Sequence, residues 1–333
     1  MSSVKIINIF IAISIILLFT ACESPQLRRF NYFMSTRDES GAKIYIQNEI
    51  NKYPGNAELH FLLGNIYIAE QDFSSARLAF QSASAITPKY DEDISLLLER
   101  HFRLELQAAI EAFENQNYSA AITHLEHTRS IYENRNEIYS LLGYVHLQLD
   151  QLNEAENAYR KAVELNNNDI GDLNNLAELL YRRGEYASAI RYAERILSQN
   201  GQHSNAHLLC VYSYLALGYF DEAEQYYNSF FRNHYSGSLK INFAIGLYNQ
   251  GEYNRALPYL LAIVEFGDTY HEIILSLAET YHHLGDYRSM AHWYEYLRRF
   301  QPENRDIIKN LISAYEMLGE TSNSKKYRNL LIQ

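Results

Sequence analysis

Apolar, small and polar positions recur along this chain with a period of 34 residues. The stretch GEYASAIRYAERIL fills residues 184–197, and close copies begin at 218, 251 and 285, with a faded one at 319. The same arrangement runs back to residues 150 and 116. One further copy begins at 71, which is 45 residues before 116 rather than 34. Each copy predicts the turn and second helix of a helix–turn–helix unit. Glycine ends the first helix, because it accepts a left-handed cap at little steric cost. An aromatic follows, and a small residue three places on lets the second helix approach the first. That small residue is Ala76, Ala121, Ala155, Ala189, Ala223 and Ala256 in turn. Each hairpin keeps one apolar face open for the next, so stacking stabilises the array.

Residues 57–90 carry the full pattern. Counted from Ala57, Leu63 and Gly64 stand at 7 and 8, Tyr67 at 11, Ala76 at 20, Phe80 at 24, Ala83 at 27 and Pro88 at 32. Residues 271–304 repeat it with Leu277, Ala278, Tyr281, Tyr287, Tyr294 and Pro302, although Met290 replaces the alanine. On these positions the chain resembles the tetratricopeptide repeat family; His60 stands where that family often has tryptophan. The resemblance implies an all-α fold, an α-solenoid of stacked helix–turn–helix repeats forming a right-handed superhelix. It also makes many of the 29 tyrosines packing residues.

The phase places repeats at 57–90, 102–135, 136–169, 170–203, 204–236, 237–270, 271–304 and 305–333, about eight in all. In the last, Thr321, Ser324 and Arg328 replace aromatic, alanine and aromatic, as a polar terminal cap requires. Residues 41–56 read as the second helix of a degraded repeat within 22–56. The extra segment DEDISLLLERH, 91–101, has no helix breaker and spans about three helical turns. It extends the next helix in register as a ridge. Its expected role is packing against the N-terminal half-repeat; a partner-specific edge is the alternative.

The first 22 residues differ from the rest. Lys5 precedes the apolar run 6–19, and small residues lead to Cys22. This reads as a secretory signal, residues 1–21. The ending LFTAC resembles the bacterial lipoprotein box, which implies acylation of Cys22 as the first mature residue. The alternative is an uncleaved anchor from Val4 to Ala21, nearly long enough to span a bilayer. Cys210 is the only other cysteine, so an acylated chain has no internal disulfide and holds together by packing. Net charge is −11, which gives no footprint for nucleic acid and no attraction to anionic headgroups. Membrane contact is expected through lipid on Cys22. The resemblance places the chain in a bacterial envelope, with the periplasmic face of the outer membrane favoured over the inner membrane or cell surface.

No catalytic constellation is legible: there is no nucleophile elbow, phosphate loop or thiol pair. No cofactor is expected. His124 and His127 stand three apart and His203 and His207 four apart, a spacing that suits metal ligands on one helix face. His282 and His283 are adjacent, with His271 and His292 nearby. None extends to a known ligand motif, so no metal site is expected. Cys210 takes the leucine position of its repeat and reads as a buried hydrophobe.

In the resembled family the first helices line a concave wall. Carrying those positions over gives Phe61, Asn65, Gln107, Phe113, Tyr144, Asn174, Asn175, Tyr181, Tyr212, Asn242, Tyr248, His282 and Asn310 as the partner-binding groove. Gln107, Asn175, Asn242 and Asn310 fall at position 6 of alternate repeats, 68, 67 and 68 residues apart. Amides so placed suit an extended peptide backbone, and tyrosines between them suit side-chain choice. The carboxylate clamp of chaperone-binding members keeps only Asn65, which argues against that mode. The resemblance therefore implies a lipid-anchored, non-catalytic adaptor or assembly factor of the envelope. Its partner is a peptide or protein, as in pilotins or adaptors of peptidoglycan enzymes. The alternative is a component binding a small hydrophobic molecule for a transporter.

Overall fold

The computed structural model describes residues 24–230, 237–265 and 271–332. The signal segment and Cys22 lie outside the described residues. Those residues form helices throughout, as paired hairpins, and divide at Asp172/Leu173 into two compact units.

The N-terminal unit begins with α1 (Pro25–Ser35) and α2 (Glu39–Lys52), a complete hairpin where the sequence pattern showed only a second helix. Then come α3 (Ala57–Ala69), α4 (Phe73–Ile86), a short 3₁₀ turn (Pro88–Tyr90), α5 (Asp91–Glu114), α6 (Tyr118–Ile131), α7 (Asn136–Gln148) and α8 (Leu152–Leu165). The next helix, α9 (Ile170–Arg182), crosses the division. The C-terminal unit continues with α10 (Tyr186–Gln199), α11 (Ser204–Leu217), α12 (Phe220–Phe230), α13 (Gly237–Asn249) and α14 (Tyr253–Glu265). It ends with α15 (His271–His283), α16 (Tyr287–Phe300), α17 (Arg305–Met317) and α18 (Thr321–Ile332).

Helix starts follow from their caps. Asp72, Asn117 and Asp286 accept the backbone N–H three residues on at 3.0, 3.3 and 3.1 Å, opening α4, α6 and α16. The alanines that let paired helices close, Ala76 through Ala256, are fully buried. Phe80 and Tyr159 lie over Gly64 and Gly143 of the partner helix, where an added Cβ would sit 2.3 Å from each ring.

The turn inside each hairpin holds one residue in the left-handed region. It is Gly184, Gly218, Gly251, Gly285 and Gly319 in the later repeats, but Arg37, Gln71, Gln116 and Asp150 in the earlier ones. The turn geometry is thus kept where glycine is not. A side chain in this region costs about 1–2 kcal/mol, partly offset by glycine's larger entropy when unfolded. Gln116→Gly is expected to raise stability by about 0.5 kcal/mol and Gly184→Ala to lower it by about 1. Urea unfolding of the two variants checks this; shifts of the same sign in both would contradict it.

The 91–101 extension and the first helix of the following repeat are one 24-residue helix, α5. Its placement corrects the sequence expectation. Ile94, Leu98 and Phe102 fall four residues apart on one buried stripe, and they share a core with Phe73, Phe80 and Ile131 of α4 and α6. The N-terminal hairpin has a separate core around Phe30, Ile46 and Leu59. The extension therefore packs where its own apolar stripe continues the groove between α4 and α6. A cleft of about 730 Å³ opens there, walled by Arg77, Phe80, Ile94, Leu98 and residues 131–135.

The terminal repeat is less degraded than its pattern suggests. Arg328 does replace an aromatic, but Tyr327 fills that role one residue earlier. It is 1% exposed, its ring stacks on Tyr315 at 5.8 Å and its hydroxyl donates to Glu295. Ser324, in the alanine position, is buried and donates to Glu316 at 3.1 Å.

Candidate functional site

The groove residues expected from sequence all stand on first helices. In the N-terminal unit, α3 carries Phe61 and Asn65, α5 carries Gln107 and Phe113, and α7 carries Tyr144. Two of these aromatics are packed rather than presented. Phe61 stacks on Tyr90 at 4.8 Å, and Phe113 rests on Tyr118 at 5.9 Å. Tyr144 is 41% exposed, with its ring edge-on to Tyr159. Gln107 is exposed and Asn65 half-buried.

In the C-terminal unit the wall is knitted together. Asn205 of α11 donates to Asn174 at 2.7 Å and to Glu178 at 2.5 Å, and Asn174 itself donates to Glu178 at 2.9 Å. At the next pair of first helices, Asn242 of α13 lies close enough to the Tyr212 hydroxyl of α11 to favour its ionised form. The Tyr248 hydroxyl of α13 then donates to Glu279 of α15. Two junctions, α9 to α11 and α13 to α15, are thus bridged by side chains of first helices. Burial raises the Tyr181 and Tyr212 hydroxyls, and Tyr248 is raised by burial and by its bond to Glu279. These hydroxyls stay protonated and serve as hydrogen-bonding groups, not as bases. The amides at position 6 differ among themselves: Asn175 and Asn310 are half-buried, while Asn242 and Gln107 are exposed. Asn205, at position 2 of its repeat, completes the network and was not among the residues picked from sequence.

The histidines separate into types. His203 caps α11 by accepting the Ala206 N–H, and His207 stacks on Phe230 at 4.7 Å while its Nε2 meets the Gly201 carbonyl. His283 stacks flat on Tyr253 at 4.1 Å, and His271 lies edge-on to Phe300. His282 is exposed, its ring near Tyr287. His124 and His127 meet a carboxylate of α5, Glu105, that their spacing gave no sign of. Cys210 is fully buried, and burial pushes its thiol up to about 12, so it supplies no thiolate.

Comparisons with known proteins agree with this architecture. Models of the tetratricopeptide repeat match residues 57–90 and 106–170. The model of anaphase-promoting complex (cyclosome) subunit 3 matches residues 150–230. The type IV pilus assembly protein PilF of Pseudomonas aeruginosa is 23% identical over 172 residues, 51% of this chain and 64% of that protein. Superkiller complex protein 3 of the mouse is 26% identical over 126 residues, 37% of this chain but 8% of that protein. The chain thus spans less than two thirds of either relative. Among solved structures, the C-terminal part of a TPR repeat-containing protein from Cytophaga hutchinsonii superposes with a TM-score of 0.53. It is 17% identical, with 69% of this chain and 94% of that chain covered. With the hairpin architecture and two models of the repeat in accord, the chain is a tetratricopeptide-repeat protein.

Proposed function

We propose that this protein is a non-catalytic adaptor or assembly factor of the bacterial cell envelope, anchored by lipid on Cys22. It takes an extended peptide or protein partner along the first-helix wall. One observation carries the reading: polar and aromatic first-helix side chains of neighbouring repeats in the C-terminal unit are tied to one another, Asn205 to Asn174 and Glu178, and Tyr248 to Glu279. Such a face offers amide donors and acceptors to a backbone and tyrosine rings to side chains. The wall offers no nucleophile paired with a base, and repeat arrays of this kind typically serve as interaction scaffolds. Similarity to a type IV pilus assembly protein supports an envelope assembly role. Among the described residues no helix is long and apolar enough to cross a membrane.

Fractionation of Cys22→Ser from a bacterial host tests the anchor. The unaltered protein is expected in the detergent phase and the variant in the aqueous phase. A variant that stays with membranes after a high-salt wash would point to an uncleaved helix or a protein partner instead. Crosslinking in cells followed by mass spectrometry identifies the partner, and crosslinks confined to second helices would overturn the wall as its site.

A further inference from the structure

We propose that Glu105, His124 and His127 form a binding site for a divalent transition-metal ion of the zinc type. The site joins α5 to α6 within one hairpin. His124 and His127 lie three residues apart on α6 and turn both Nδ1 atoms toward one carboxylate oxygen of Glu105, at 2.7 and 2.9 Å. Glu105 comes from the antiparallel neighbour, 19 and 22 residues earlier, so the hairpin itself assembles the set. The three ligand atoms all lie within 4.8 Å of one another.

The dimensions suit a metal. Ligands about 2.0–2.1 Å from a tetrahedral ion stand about 3.3 Å apart. The nitrogen-to-oxygen distances need open by only about half an ångström, within the reach of small rotations about χ. Two imidazoles and a carboxylate favour zinc, cobalt, nickel or copper over calcium or magnesium, which prefer all-oxygen shells. The charge balance points the same way. The Glu105 side chain is 12% exposed, and its ion-pair partners are both histidines. A divalent ion would compensate this part-buried carboxylate directly. Access remains open, since the His124 and His127 side chains keep 34% and 28% of their exposure. His127 is steadied from behind by the Phe73 ring at 5.3 Å. The His101 ring lies against the same Phe73 at 6.0 Å, one helical turn before Glu105. Solvent or a partner's side chain would complete the coordination. The proposal does not rest on the partner wall, although the wall residue Gln107 stands two positions from Glu105 on α5.

The test uses the full chain without a polyhistidine tag, stripped with chelator and titrated with Co²⁺ and then Zn²⁺. One equivalent of Co²⁺ is expected to give the visible absorption of a four-coordinate nitrogen–oxygen site, and Zn²⁺ to bleach it. Glu105→Gln and His124→Ala are each expected to weaken Zn²⁺ binding at least tenfold. His292→Ala, at an exposed histidine outside the groove, is expected to leave it unchanged. Absence of saturable Co²⁺ or Zn²⁺ binding by the unaltered chain would overturn the proposal without recourse to any variant. So would binding that survives in both Glu105→Gln and His124→Ala.

Discussion

Gly143→Ala is expected to destabilise the protein by about 2 kcal/mol, against the usual direction of this change in a helix. Alanine is normally the better helix former by about 1 kcal/mol. Here the new methyl would stand 2.3 Å from Cε1 and 2.5 Å from Cδ1 of Tyr159. That ring is 1% exposed, so it has nowhere to go without moving its neighbours. Overpacking of a dense core costs about 1–3 kcal/mol, and so short a contact lies at or beyond the top of that range. Gly64→Ala should behave alike, because Phe80 lies over it at the same 2.3 Å and is equally buried. The cause is tested by combining Gly143→Ala with Tyr159→Leu. The pair should cost less than the sum of the single changes by about 1 kcal/mol or more. Ala278 and Tyr294 occupy the same two positions in a later repeat and both are buried, so a hairpin can hold both when the ring lies differently. Denaturant unfolding followed by circular dichroism separates the cases. A raised midpoint for Gly143→Ala would mean that Tyr159 swings as Tyr294 does, and that the glycine is dispensable.

The second large effect concerns the wall. With the crosslinked partner in hand, Asn242→Ala and Tyr212→Ala together are expected to weaken binding by about 2 kcal/mol, or thirtyfold. The two side chains are close neighbours, with Asn242 favouring the ionised form of the Tyr212 hydroxyl. Neighbouring positions couple, so the losses should depart from additivity by about 0.5–1 kcal/mol. Tyr212→Phe isolates the hydroxyl from the ring. It should keep most of the apolar contact and lose only what the hydroxyl contributes. Calorimetry with melting curves on the same samples keeps binding apart from folding. Unchanged affinity in the double variant would move the partner to the second-helix face or to the ridge of α5.

The hairpins were legible because the positions that pack them are few, chemically distinct and fixed in spacing. Ala76 and Phe80 sit where any close helix pair needs a small residue and a ring, and their recurrence set the phase. Features outside that logic stayed hidden. The left-handed turn is fixed by backbone geometry, so Gln71, Gln116 and Asp150 keep it without announcing it. Tyr327 slipped one place from its expected position yet kept its burial. Most of all, ties between repeats join residues such as Asn174 and Asn205, or Tyr248 and Glu279, 31 positions apart. That separation falls three short of the period, so a reading in phase with the repeat passes over them. Glu105 was missed for a related reason: nothing within its own helix marks it as a companion of two histidines on the next.

Those ties make the C-terminal unit something like a sprung hinge with stops. Repeats in an array can tilt against one another by small angles. The bridges from Asn205 to Asn174 and from Tyr248 to Glu279 tie first helices of successive repeats. They limit how far those helices can spread before a hydrogen bond of about 1 kcal/mol breaks. A slender chain laid along the wall leaves both bridges intact, while a bulky one must break them. Girth, as much as chemistry, would then decide which partner is held.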